Sequence, residues 1–294
     1  MEEKIISIDQ GTSSTRSVLY SKKGELLDSS QEEFEQYFPN EGWVEHNPEQ
    51  IWNTVESTLT DLVHRNDISS NEIASIGITN QRETTVLWDK TTGRPISNAI
   101  VWQDRRTSEF CDHLSSDLDI IHKKTGLILD PYFSATKINW LLKNVEGARA
   151  LAEKGDLLFG TIDTFLIWKL TNGKSHKTDI TNASRTMLFN IVNQEWDQDL
   201  LKIFDVPKQI LPEVCDNASD FGSTSILGGE VKIGGVAGDQ QAALIGQCCF
   251  RSGETKSTYG TGCFVIVNTG SQCLFSNNKL LTTIAYRLNN EITY

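Results

Sequence analysis

The sharpest local signal in the sequence is Asp9-Gln10-Gly11-Thr12-Ser13-Ser14-Thr15-Arg16. Gly11 lets the main chain come close to a ligand, and the N–H and hydroxyl groups of Thr12, Ser13 and Ser14 suit phosphate oxygens. Arg16 adds a fixed positive charge. Asp9 can hold Mg²⁺ through water, because that ion gives up its hydration shell reluctantly. An ordinary polar hairpin turn has the same composition. A second cluster is Gly238-Asp239-Gln240-Gln241, where a carboxylate between a strand end and a helix start can accept a hydroxyl proton. A plain helix N-cap is equally well served by Asp. The third is Gln81-Arg82-Glu83, with Trp102 and Tyr132 downstream. Such a set offers donors, acceptors and an aromatic face to a polyol, although a surface ion pair beside core aromatics reads the same way.

The elements that must position these groups are legible in part. Lys4–Asp9 and Arg16–Tyr20 read as strands around the Gly/Thr/Ser corner, and Leu26-Leu27 opens a third after the turn Lys22-Lys23-Gly24-Glu25. A helix is expected from Pro48, capped by Asn47 with Gln50 completing a capping box, because Ile51, Val55, Leu59 and Leu62 form one apolar stripe. Strands are expected at Ile73–Thr79, Thr84–Trp88 and Ala99–Trp102, and helix over most of Thr136–Ala152. Phe159–Leu170 has no decisive period. Gly234–Ala237 reads as a strand leading to Asp239, followed by a helix over Gln241–Gln247. Lys256–Tyr259, the turn Gly260-Thr261-Gly262 and Cys263–Asn268 repeat the design of the opening hairpin, which suggests an internal duplication starting near residue 250.

Composition limits the partners. The 294 residues are 38% hydrophobic and 22% charged, an ordinary globular balance. A net charge of −12 argues against broad nucleic-acid or membrane-surface binding, since phosphate backbones and anionic lipids repel it. No apolar run reaches the roughly 18 residues of a membrane span, and Ile5-Ile6-Ser7-Ile8 is too short for a secretory signal. Six cysteines show no C-x-x-C pair or zinc spacing; Cys248 and Cys249 read as small buried residues, and a reduced, cytoplasmic protein is expected.

In order and wording these motifs resemble the glycerol kinases of the sugar- and polyol-kinase family. The likeness covers essentially the whole chain and is most specific at Gln81-Arg82-Glu83, Asp130-Pro131-Tyr132-Phe133 and Tyr259–Phe264; it also takes in Thr181–Asn190. It implies an α/β, actin-like or ribonuclease H-like ATPase fold, with a mixed sheet flanked by helices and a second, truncated copy. Residues 1–250 would form the N-terminal sugar/polyol-kinase domain, and 251–294 the start of a second, incomplete one. The activity implied is ATP-dependent phosphorylation of glycerol to sn-glycerol 3-phosphate, with Asp239 as catalytic base. Glycerol would meet Arg82, Glu83, Tyr132, Asp239 and Gln240, with Trp102 and Phe264 against its carbons. ATP would meet Thr12, Ser13, Ser14, Arg16 and Thr261, with Mg²⁺ near Asp9 through water. A homo-oligomer is implied for the full-length protein. Family members are longer than this chain. A non-catalytic truncated isoform or glycerol-binding fragment, and a kinase for another polyol or sugar, therefore stand beside the leading reading.

Overall fold

The structure, a computed structural model, describes residues 3–259 and 263–294. The chain opens with β1 (Lys4–Gln10), β2 (Ser14–Ser21) and β3 (Leu26–Glu33), an antiparallel meander as the alternating apolar pattern predicts. The Gly11 N–H donates to the Ser14 carbonyl at 2.9 Å and closes the first corner. At the second, Gly24 adopts φ +81°, a conformation that favours glycine.

Helix α1 (Pro48–Arg65) follows. Asn47 caps it by accepting from the Glu49 N–H, and Pro48 occupies its first turn, both as expected. The expected capping box gives way to tertiary contact: the Gln50 side-chain carbonyl instead accepts from the Tyr37 hydroxyl. Ile51, Val55, Leu59 and Leu62 pack with Ile6, Ile8 and Leu19 of the sheet in one buried cluster. The apolar stripe of α1 is thus what fastens the meander to the rest of the fold.

β4 (Ile73–Asn80) then runs parallel to β1. The long excursion that follows carries α2 (Ser134–Asn144), α3 (Ile162–Leu170) and the single turn α4 (Ile180–Ala183). β5 (Ser223–Thr224) and β6 (Val231–Gly238) complete a six-stranded sheet of order β5-β6-β4-β1-β2-β3, in which β6, β4 and β1 are parallel. Beyond it lie α5 (Asp239–Gly246) and the antiparallel pair β7 (Thr255–Tyr259) and β8 (Cys263–Val267). The turn at Gly260-Thr261-Gly262 lies outside the described residues.

Several expectations are corrected. Most of Thr136–Ala152 is helical as expected, but in two pieces: the first ends at Asn144 with Val145 extended, and Gly147 at φ +75° precedes the restart at Ala148. The strands expected at Thr84–Trp88 and Ala99–Trp102 are Val86–Asp89 and Ala99–Ile100. Phe159–Leu170 is ambiguous in sequence because Leu157–Gly160 is a strand and α3 is buried nearly all round, so no polar face marks the helical period. Cys249 is buried as expected, but Cys248 is exposed, sitting at φ +58° where the chain turns out of α5.

Leu59→Ala should lower stability by about 2–5 kcal/mol, the usual range for truncating a fully buried leucine. A urea-denaturation midpoint shift with unchanged slope is the expected readout, because the lost volume lies between α1 and the sheet.

Candidate active site

Parallel pairing brings three chain segments to one edge. Gln10, Asn80 and Gly238 lie side by side in register across β1, β4 and β6. The residues that follow each strand, Gly11-Thr12-Ser13, Gln81-Arg82-Glu83 and Asp239, therefore leave the sheet together. This is the edge at which ligands meet open α/β sheets. All three motifs singled out in the sequence converge there.

Arg82 occupies the centre. It is only 5% exposed, so its charge is deprived of water, and Glu83 and Asp239 more than offset that loss. Its Nε lies 3.0 Å from Asp239 Oδ1, without the alignment of a hydrogen bond, and its Nη1 donates to Gln241 at 3.2 Å. The surface ion pair considered for Arg82-Glu83 is overturned, since both are buried and their closest approach is 4.0 Å. Glu83 instead receives Arg185 Nε at 2.6 Å. Arg185 also lies over the Tyr132 and Phe133 rings, 5.7 and 5.0 Å from their centroids.

Gly238 makes this arrangement sterically feasible. A Cβ there would sit 2.6 Å from Arg82 Cδ and 2.7 Å from Cγ, so the Arg82 side chain passes over the bare strand end. Asp239 is not the helix cap that its neighbours suggested. Gly238 is the cap, and Asp239 is the first helical residue with its side chain 40% exposed, turned to Arg82 and the Gln240 N–H.

The aromatic wall is present. Trp102 and Tyr132 pack edge to face at 5.6 Å, and Phe264 lies 6.0 Å from the Arg82 guanidinium. Burial pushes the Tyr132 hydroxyl up to about 12, with the Glu83 charge adding to it, so it remains a hydrogen-bond donor. Trp102 Nε1 donates to Thr12 Oγ1 at 3.0 Å, which ties this wall to the phosphate-type turn. Gln240 is buried, and its side-chain carbonyl accepts from Lys256 Nζ at 2.6 Å. A cavity of about 760 Å³ takes in Arg82, Tyr132, Arg185, Gln241 and Phe264.

The phosphate-type turn is held from beneath and open above. Gln81 Nε2 donates to the Gly11 carbonyl at 3.0 Å and to Gln10 Oε1 at 3.1 Å. Ser14 Oγ accepts from Gln31, whereas Ser13 and Arg16 are exposed. Arg16 Nη2 lies 3.6 Å from Asp9 Oδ2. Burial raises the Asp9 carboxyl above its ordinary range; Arg16 pulls it back and Asp239 raises it further. Two carboxylates that repel across the end of the intervening strand β4 form a donor set whose repulsion a divalent cation would relieve. Among the described residues no group of three or more acidic, His or Cys side chains gathers as a metal cage. Mg²⁺ needs no such cage, since it takes one or two carboxylates and fills its remaining positions with water and phosphate. Thr261 lies outside the described residues.

Arg185, Lys256 and a buried acidic pair escaped sequence reasoning. Arg185 stands 102 residues from Glu83, and only its place in the Thr181–Asn190 segment marked it. Thr181 Oγ1 donates to Asp179 and accepts from the Gly238 N–H at 2.9 Å, so Asp179 supports the strand end before Asp239. Asn182 links Asp179 to Asn80, the last residue of β4, and Asn217 bonds Asp179 as well. Asp179 is pushed up to about 7 by burial and then by the neighbouring Asp163.

The sheet, the crossing helices and the donor-rich strand ends define an actin-like sugar-kinase fold. The chain belongs to the FGGY family of carbohydrate kinases: residues 4–246 match the model of that family's N-terminal domain. It is 58% identical to a glycerol kinase of Alteromonas mediterranea, covering 100% of this chain and 60% of that protein. With a glycerol kinase of Sinorhizobium fredii the identity is 59%, over 99% of this chain and 59% of that protein. The crystal structure of Plasmodium falciparum glycerol kinase with ADP superimposes with a TM-score of 0.95 at 38% identity, over 100% of this chain and 60% of that one. The chain thus spans about 60% of the length of these relatives.

Two outcomes follow. Gly238→Ala should cost about 1–3 kcal/mol in a urea titration, since a buried, pinned Arg82 must give way; an unaltered midpoint would mean that Arg82 moves aside freely. For Asp179, a folded-state value above the unfolded one means the native state holds a proton the unfolded state has released. Its contribution therefore falls as pH rises from about 4 to about 7 and is constant above. Asp163→Asn removes the neighbouring charge and should flatten that part of the stability–pH curve.

Proposed function

We propose that the protein transfers the γ-phosphoryl group of ATP to a terminal hydroxyl of glycerol, giving sn-glycerol 3-phosphate and ADP. The observation that carries this reading is the juxtaposition of Asp239 with Arg82 beside the Trp102–Tyr132 wall, at the edge from which the Thr12–Ser14 turn also projects. The high identity to glycerol kinases over the whole of this chain supports the choice of polyol. The chain is read as an N-terminal domain over 1–250 with the start of a second from 251, and the full-length protein as a homo-oligomer.

Glycerol hydroxyls pair with Arg82, Glu83, Tyr132, Asp239 and Gln240, while Trp102 and Phe264 cover its carbons. Asp239 is partly exposed and takes the proton of the attacking hydroxyl as that oxygen approaches phosphorus. Arg82 stays cationic beside it and orients the carboxylate. Main-chain and hydroxyl donors of Thr12, Ser13 and Ser14, with Arg16, hold the polyphosphate of ATP; Thr261 is assigned to the same ligand. Mg²⁺, held by Asp9 through water, would supply charge neutralisation on the phosphoryl oxygens.

Glycerol-dependent ADP release from the purified protein with Mg-ATP tests the reading. Asp239→Ala should lower that rate by about 10²–10⁴-fold, the range for losing a general base. An equal rate in the variant would remove Asp239 from its role. Phosphorylation of another polyol or sugar in preference to glycerol would overturn the substrate. Glycerol binding without phosphoryl transfer would favour a binding protein over an enzyme.

A further inference from the structure

Glu83 is held in an uncomfortable backbone conformation. It is a buried, non-glycine residue at φ +62°, in the left-handed region that side chains disfavour. Such a conformation persists only where the surroundings enforce it. Here the Glu83 carbonyl accepts from Ser134 Oγ at 3.0 Å, Thr85 Oγ1 at 3.1 Å and Lys137 Nζ at 3.4 Å. The same Lys137 Nζ donates to the Tyr132 carbonyl at 2.7 Å. Lys137 is fully buried on α2, whose Ile138, Leu141 and Leu142 are core residues, so its stem has a fixed base.

We propose that Lys137, with Ser134, is a positioning clamp for the polyol subsite: it fastens the main chain of Glu83 to that of Tyr132 and so sets the spacing of the carboxylate and aromatic walls. Neither residue touches the reacting atoms. Stability alone does not account for the lysine. Both acceptors on Nζ are neutral carbonyls, and burying a cation among them is costly. Burial lowers the ammonium to about 7, against the opposing pull of Glu83, Asp104 and Asp130. An apolar chain of equal length would avoid that desolvation and fill the same space, at the cost of leaving the Tyr132 carbonyl without its donor. What it would not do is donate to two carbonyls from one atom. The three donors of an ammonium allow both bonds at once, and they join two segments that both reach the proposed glycerol site.

This inference rests on the polyol reading above, and calorimetric titration of glycerol into the purified protein separates the two, with no need for turnover. Lys137→Met should weaken glycerol binding about tenfold, the scale of one hydrogen bond, and lower Tm modestly, because the Tyr132 carbonyl loses its donor. Ser134→Ala keeps the lysine and loses one donor to Glu83, so binding should weaken by a smaller factor with little change in Tm; it serves also if Lys137→Met does not fold. Glycerol affinity equal to wild type in either folded variant would overturn the clamp and leave the polyol reading standing. Absence of glycerol binding by the wild type would overturn both.

Discussion

Because β1, β4 and β6 run parallel and in register, whatever follows each strand must emerge at the same edge of the sheet. That constraint gathers Asp9, Arg82 and Asp239 from positions spread over 230 residues of sequence. Parallel strands need crossovers, and the crossovers here are long. One carries α1; the other carries the excursion that contributes Tyr132, Lys137 and Arg185. The sheet edge thus supplies Asp9, Arg82 and Asp239, while the excursion supplies Tyr132 and Arg185 around the same cavity as Arg82. Neither half brings these side chains together by itself.

Holding strand ends in line requires that their polar groups be satisfied where water cannot reach. Asp179 does this for two strands at once, through Thr181 to Gly238 and through Asn182 to Asn80. Five donors from Thr181, Asn182 and Asn217 converge on its carboxyl, which strongly favours the ionised form; burial and Asp163 work in the opposite direction. The result is a polar joint that fixes geometry at some cost in stability. Arg82 follows the same logic, since its burial is tolerated because Asp239 and Glu83 lie within reach and Gly238 leaves room for its stem.

Local features with local causes were legible in the sequence. The opening meander, the Asn47 cap and the stripe of α1 need only neighbouring residues, and all appear as read. Features decided by distant partners were ambiguous or misread. Gln50 suits a capping box by spacing, but Tyr37 competes for it successfully. Asp239 suits an N-cap, yet its carboxylate turns toward a guanidinium 157 residues earlier in the chain. Arg82 and Glu83 read equally well as a surface pair until the fold buries them and Arg185 takes the carboxylate. No spacing rule reaches across 102 residues; only the family resemblance drew the motifs into one site.

The two sides of that site differ in how far the described residues complete them. On one side Arg82, Glu83, Lys137 and Arg185 are each at least 95% buried; Arg82 is matched by Asp239 and Arg185 by Glu83, while Lys137 has only neutral carbonyls as acceptors. Side chains tied in this way are positioned by the fold, which is what preorganised hydrogen bonding requires. On the phosphate side Ser13 and Arg16 face solvent, and the Arg16–Asp9 contact is long at 3.6 Å. Exposed charges are strongly screened, so these groups act at full strength only once water is excluded from around them. The buried charged cluster is therefore set by the fold itself, whereas Ser13 and Arg16 keep their water and with it their freedom to move.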